Sequence, residues 1–279
     1  MRISIIGAGR VGRAMGRAAA RAGHEIGDVV CTSRTGALAA TRFIGAGVAH
    51  ASKAAALGPA DLFLISTQDD RIRDAVHLIR KSTAGFSGMH HGRRRRSIVA
   101  LHTSGALSSQ VLAPLKQAGF VIGSCHPLQT FESARRSVSL ISRTYFCVEG
   151  EPAALRAARI LVREIGGRFF EIQTGQKELY HAGAVLASGG LTALVSISLE
   201  ILSRCGLGRK DATRVLFPLI EGTIANIKAV GPAQALTGPV RRRDTGTIRR
   251  NTKALASVEP DWGRIYSLLA RRSLILLRS

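Results

Sequence analysis

Two groups of residues carry chemistry that can be read from type and spacing. The first, Gly7-Ala8-Gly9-Arg10-Val11-Gly12, follows the apolar run Ile3-Ser4-Ile5-Ile6 and opens an Ala-rich helical stretch. Strand, glycine turn and helix in that order form a dinucleotide-binding signature. The first glycine allows the tight turn, the second lets backbone approach a pyrophosphate, and the third lets helix and strand pack closely. The helix N-terminus then presents N–H groups and its positive dipole end to the phosphates. The second group is Lys177 and His181, four residues apart at the start of a long helix, with Ser188 expected on the same face. Turned to a crevice, such a face could supply a proton donor and hydrogen bonds to a carbonyl while hydride arrives from a nicotinamide. A histidine titrating near neutrality suits the general acid, and a lysine the electrostatic stabiliser. His126, after a strand at Val121, is a second candidate acid, and either histidine could equally serve only to satisfy backbone groups.

The cofactor's identity turns on the residues after the second strand. NAD-preferring sites place an acidic residue about 20 positions beyond the glycines to accept from the ribose hydroxyls. Here Thr32-Ser33-Arg34-Thr35 occupies that place. A carboxylate would repel a 2′-phosphate, whereas a guanidinium and hydroxyls hold it through charge-assisted hydrogen bonds, so Ser33, Arg34 and Thr35 predict NADP(H). Ser66-Thr67-Gln68-Asp69-Asp70 and His102-Thr103-Ser104-Gly105 follow two further strands at their carboxyl ends, where ligands of open α/β sheets sit, and are candidate walls of the nicotinamide crevice. The first could equally be only a helix cap, a role that Asp69 or Asp70 suits.

These residues need a frame. Strands are expected at Ile26 to Thr32, around Val48, at Asp61 to Ser66, Ile98 to Leu101, Val121 to Ser124, Tyr145 to Val148 and Arg168 to Ile172, with helical periodicity over Asp70 to Arg80, Ser108 to Gln117 and Pro152 to Ile165. Such alternation calls for a Rossmann-type, doubly wound, mostly parallel sheet. From about Thr174 only helices are read: 175–205, 210–230, 232–236, 244–257 and 260–278. The expected fold is therefore α/β, with a dinucleotide-binding domain over 1–172 and an all-helical substrate and dimerisation domain over 173–279.

Composition sets outer limits. The chain's 279 residues suit two cores, and no low-complexity tract or short repeat is present. Cys31, Cys125, Cys147 and Cys205 lie far apart without paired spacing, which suggests neither a zinc site nor a disulfide framework, and no metal is expected. A cytoplasmic location fits, since the first strand begins at once and leaves no room for a signal peptide. Ala182 to Leu199 carries no formal charge, but its glycines and serines suit a helix buried between protein neighbours better than one facing lipid. The net charge of +22 would attract nucleic acid, anionic membrane or anionic small molecules, without choosing among them. With 5% aromatic residues and no stacking motif, specific nucleic-acid recognition is not expected. Tandem His90-His91, in an apparent surface loop ending in Arg93 to Arg96, carries no metal expectation.

Three further motifs make the pattern specific: Gly123-Ser124-Cys125-His126-Pro127-Leu128-Gln129-Thr130-Phe131, Leu179-Tyr180-His181-Ala182-Gly183-Ala184-Val185-Leu186-Ala187-Ser188 and Leu236-Thr237-Gly238-Pro239-Val240. Set behind the glycine turn, they resemble the Rossmann-like oxidoreductases whose C-terminal helical domain is a domain of unknown function, relatives of pyrroline-5-carboxylate reductase, 6-phosphogluconate dehydrogenase and ketopantoate reductase. The resemblance covers essentially the whole chain. It implies an NADP-linked reductase of a small, anionic 2-oxo acid such as ketopantoate, and a homodimer built on the helical domain; the segment Gly238 to Asp244 would offer Arg242 to a substrate carboxylate, with Asp244 as a helix cap or an orienting partner, or else is solvated charge. Imine reduction and a nucleotide-binding sensor without turnover stay open beside it. Two departures stand out. Ser188-Gly189 replaces the relatives' Ser-Asn, and Arg242-Arg243-Asp244 replaces an Arg-Gly-Asp turn.

Overall fold

Alternation of side chains along the inner strands decides the architecture. In β1 (Arg2–Ile6) and β4 (Leu62–Ile65), Ile3, Ile5, Leu62 and Leu64 enter one apolar cluster, while Ile6, Phe63 and Ile65 enter another. Both clusters are buried, so both faces of the sheet must be covered, which is the condition for a parallel sheet wound with helices on each side. Full burial of a side chain such as Phe63 or Ile65 contributes about 1.5–3 kcal/mol.

The computed structural model describes residues 1–83, 97–132 and 134–277. His90-His91 and Arg93 to Arg96 lie outside the described residues. Eight strands form one sheet in the order β3-β2-β1-β4-β5-β6-β7-β8, adding β2 (Glu25–Cys31), β3 (Val48–Ala51), β5 (Ile98–His102), β6 (Phe120–Leu128), β7 (Tyr145–Gly150) and β8 (Arg168–Glu171). All neighbours run parallel except β6 and β7. The chain reverses its winding between β1 and β4, so a crevice opens at their carboxyl ends.

Helix α1 (Arg10–Arg21) packs on β1 through small residues; a Cβ on Gly16 would come within 2.5 Å of Ile5 Cδ1. Helix α2 (Arg34–Ile44) was not anticipated, although its punctuation is present: Ser33 Oγ accepts from Gly36 N at 3.1 Å and Gly45 closes it with φ 89. Helix α3 (Ile72–Thr83) and α5 (Pro152–Glu164) fall where expected, and α4 (Ala134–Ile141) is a further addition. The helix expected over Ser108 to Gln117 is instead a 3-10 run, Ser109–Ala118, with Pro114 inside it. Proline has no N–H for the α ladder.

The long helix contains α6 (Lys177–Val185), a π turn (Leu186–Gly190) and α7 (Leu191–Arg204). Helices α8 (Arg209–Ala235), α9 (Gly238–Arg241), α10 (Thr245–Val258) and α11 (Pro260–Leu276) complete the chain, α8 being broken at Gly231 with φ 80. Compactness divides the protein into Met1–Ser188 and Gly189–Ser279, so α6 lies in the sheet-containing unit rather than beyond the boundary expected at 172/173. The anchor is Lys177, whose side chain is buried in that unit. The apolar stretch 182–199 was expected to be buried, yet Leu186 is 74% exposed. The helix Thr174–Arg204 is the one described helix long and apolar enough to cross a membrane.

Candidate active site

The glycine turn has the geometry that its sequence implies. Gly7 has φ +88, and a Cβ there would lie 2.5 Å from Thr67 Cγ2. On Gly12 a Cβ would run into Ser66 Oγ and stand 2.9 Å from Gly7 O. Gly9 differs: the nearest atom to its added Cβ would be 4.0 Å away, so the space over it is open where backbone must approach a pyrophosphate. Ser66 Oγ donates to Gly7 O at 2.9 Å and ties the segment after β4 to the turn. Thr67 Oγ1 is buried there without a partner, which suits a polar ligand in the crevice. Arg10, Gln68, Arg34 and Thr35 are exposed, Val11 and Thr103 are half-buried, and Ser104 is buried. Arg34 begins α2 at the end of β2, with no carboxylate in the Thr32–Thr35 segment. These features fit a dinucleotide with a 2′-phosphate. The Ser33 hydroxyl already caps α2.

Beyond the crevice, β5, β6 and α6 bring several polar groups together. Strand alternation puts Ser124 and His126 on one face of β6, and antiparallel register sets His126 opposite Cys147. Lys177, 1% exposed, donates from Nζ to Ser104 O at 2.8 Å and to Ser124 Oγ at 3.1 Å. Its ammonium lies 5.8 Å from the centre of the Tyr180 ring. The Tyr180 hydroxyl is 2.8 Å from His126 Nδ1. His126 meets His181 edge to face with ring centres 5.8 Å apart, and Tyr180 packs likewise on Phe170 at the same separation. Gly105 makes room for both imidazoles: a Cβ on it would run into His181 Nδ1 and lie 2.8 Å from His126 Nε2.

Burial lowers the Lys177 pKa, with Cys147 and Glu149 acting in the opposite direction. Burial first, then the Lys177 charge and His181, hold His126 at a pKa of about 3. His102 is pushed to about 3 by burial and then by Lys177; its Nδ1 accepts from Ser104 N at 3.2 Å. Burial also raises the Tyr180 hydroxyl and the Cys147 thiol. His126 is thus a neutral imidazole at neutral pH, not the imidazolium acid expected from its type. If the phenol donates to Nδ1, the ring proton sits on Nε2, toward Gly105.

A cavity of about 670 Å³ opens here, with His126, Gln129, Tyr180, His181 and Ser188 among its polar lining and Leu128, Phe170 and Val185 among its apolar lining. Lys177 does not line it. The expected shared face of Lys177, His181 and Ser188 is therefore divided: Lys177 turns inward, while His181 and Ser188 border the cavity. Ser188 falls in the π turn, where its hydroxyl donates back to Ala184 O at 3.0 Å. Tyr180 and Cys147 carry no site role in the sequence reasoning, although Tyr180 lies inside a quoted motif, whereas His102 and Gly105 belong to the expected crevice wall. Arg242 and Asp244 belong to the other unit; Asp244 caps α10, its Oδ1 accepting from Thr247 N at 2.9 Å. Arg243 between them has φ 56, the one positive φ outside glycine among the described residues. No group of three or more His, Cys, Asp or Glu side chains able to hold a metal is found among the described residues.

Residues 1–127 match the family described as Rossmann-like domain, and residues 144–273 match that described as domain of unknown function (DUF2520). The structure is similar to a protein of Thermotoga maritima at 22% identity, with 99% of this chain and 98% of that one covered and a TM-score of 0.75. A Bacteroides fragilis protein provisionally named an NADP oxidoreductase is similar at 22% identity, with coverages of 98% and 97% and a TM-score of 0.74. Plasmodium falciparum pyrroline carboxylate reductase, solved with NADP bound, is similar at 11% identity, with coverages of 99% and 98% and a TM-score of 0.59. No curated protein matches the chain at a significant level.

Proposed function

We propose that this chain, which joins a Rossmann-like domain to a domain of unknown function, is an NADPH-dependent oxidoreductase that reduces a small C=O or C=N compound. The observation that carries this reading is the glycine turn with open space over Gly9, set in the same unit as the cavity of His126, Tyr180 and His181. The names of the Bacteroides and Plasmodium relatives support it. Neither name points to ketopantoate, so the 2-oxo acid suggested by the resemblance stays one member of a test panel.

When bound, the reduced nicotinamide supplies hydride. This chain's residues do the rest. The turn from Gly7 to Gly12 and the N-terminus of α1 receive the pyrophosphate, and Arg34 with Thr35 holds the 2′-phosphate. His126 and His181 offer ring nitrogens to the acceptor atom of the substrate, as preset dipoles that need no reorganisation. Lys177, committed to Ser104 and Ser124, acts on that atom through its field and adds to burial in keeping His126 neutral.

Residues 173–279 are read as the substrate and dimerisation part. Leu186, Leu219 and Phe217 are 74%, 67% and 43% exposed, apolar surface that a second copy would cover. The four free cysteines suit the reducing cytoplasm. The deciding experiment is binding and oxidation of NADPH and NADH by the purified protein against 2-oxo acids, ketones and cyclic imines. Turnover with NADPH preferred supports the reading. Tight NADPH binding without turnover favours a sensor, and no dinucleotide binding refutes both. Light scattering over a concentration series tests the dimer, and a monomer that partitions onto vesicles would refute it.

A further inference from the structure

The cavity lined by His126, Tyr180 and His181 has an unusual charge balance. None of the described residues lining it is Asp, Glu, Lys or Arg. The Lys177 ammonium, buried behind the Tyr180 ring, acts as a positive charge on both His126 and His102. Two carboxylates act on Lys177: Glu149 is 1% exposed and spends its oxygens on Ser109, accepting from the backbone N at 2.7 Å and from Oγ at 2.9 Å, and Asp69 is exposed to solvent. The cavity therefore feels positive potential but offers no ion to pair with. Much of the remaining wall is aromatic or aliphatic.

Resting on the reductase reading above, we infer that this cavity takes an uncharged ketone or aldehyde with an apolar body, in preference to an iminium ion or a carboxylate-bearing substrate. An iminium would enter as a cation beside Lys177 with no carboxylate to receive it. A carboxylate would lose water without gaining a direct partner, because Lys177 is sealed behind Tyr180 and already bonded to Ser104 and Ser124. An uncharged carbonyl suffers neither cost. On reduction its carbon gains the hydride, the π pair moves onto oxygen, and a proton from water completes the alcohol as the nicotinamide is left oxidised. The charge growing on that oxygen is the sign that Lys177 favours, and the His126 and His181 rings on the cavity wall can donate to it.

The test uses the full-length protein loaded with NADP⁺ and titrated by calorimetry with three inert probes of one shape: cyclohexanecarboxamide, cyclohexanecarboxylate and cyclohexylmethylammonium. The carboxamide is expected to bind at least about tenfold more tightly than either ion. Gln129→Glu, which adds a carboxylate to the wall, is expected to shift the order toward the ammonium. Equal or tighter binding of either ion to the native protein, or no binding of any probe, overturns the inference. Failure of NADP⁺ to bind would instead overturn the reductase reading, and titration of the unliganded protein then decides the cavity's preference by itself.

Discussion

Gly105→Ala probes the centre of the site with one methyl group. The φ of Gly105 lies outside the range that disfavours a side chain, so the backbone accepts alanine and only space is at issue. Its Cβ would run into His181 Nδ1 and stand 2.8 Å from His126 Nε2, where ordinary contact begins at 3.4 Å, so the His126 ring must retreat by several tenths of an ångström and the His181 ring by more. Neither retreat is free. His126 is tethered at 2.8 Å to the Tyr180 hydroxyl, and Tyr180 is packed in turn on Phe170. Overpacking of this kind costs about 1–3 kcal/mol, and a misplacement approaching 1 Å costs up to roughly a hundredfold in rate. The expectation is a kcat lower by about tenfold to a hundredfold and a Tm several degrees lower, with NADPH affinity unchanged because the glycine turn is untouched. Stopped-flow NADPH oxidation, dinucleotide fluorescence titration and thermal unfolding measure the three quantities. A variant that keeps kcat within about twofold and the native Tm would show that the imidazoles are not held as described.

Other outcomes follow from separate features. Arg34→Asp removes the guanidinium and adds repulsion, so NADPH affinity is expected to fall by at least about tenfold while NADH changes little; fluorescence titration with both dinucleotides checks this, and equal losses would sink the 2′-phosphate assignment. Arg243→Gly relieves a left-handed residue at φ 56 and should raise stability by about 1 kcal/mol in chemical denaturation, whereas a destabilised variant would mean that the side chain contributes more than the strain costs. His102 and His126 have native pKa values near 3 against 6.5 when free, so below 6.5 the unfolded chain takes up protons that the native protein refuses. Their contribution to stability is thus present above 6.5 and is lost as pH falls toward 3, by about 1.4 kcal/mol per pH unit for each histidine. Urea unfolding between pH 6 and pH 5 should show it, and a flat profile there would refute the burial argument.

Much of the fold was legible because its signals are local. Ile3, Ile5 and Ile6 alternate between two faces within five residues, and Gly7, Gly9 and Gly12 have roles set by the turn that contains them. Helix α2 was missed although Ser33 and Gly45 mark its ends, since the Thr32 to Thr35 segment was weighed for phosphate binding rather than for capping. The site was legible only in part. His126, Lys177 and His181 stand out by type, but their roles depend on partners far away in sequence.

The sequence by itself determined the order of the strands along the chain, the glycine turn and the placing of Arg34 just after the second strand, because each depends on neighbours within a few residues. Tertiary structure alone decided that Lys177 turns inward to Ser104, 73 residues away, and that Tyr180 reaches His126 across 54. It also decided that His126 is neutral, since the depression of its pKa comes from burial and from Lys177. Helical spacing puts Lys177, His181 and Ser188 on one side of a cylinder, but it says nothing of what that side meets. Packing against β5 and β6 buries Lys177, and the π turn carries Ser188 to an exposed edge of the cavity.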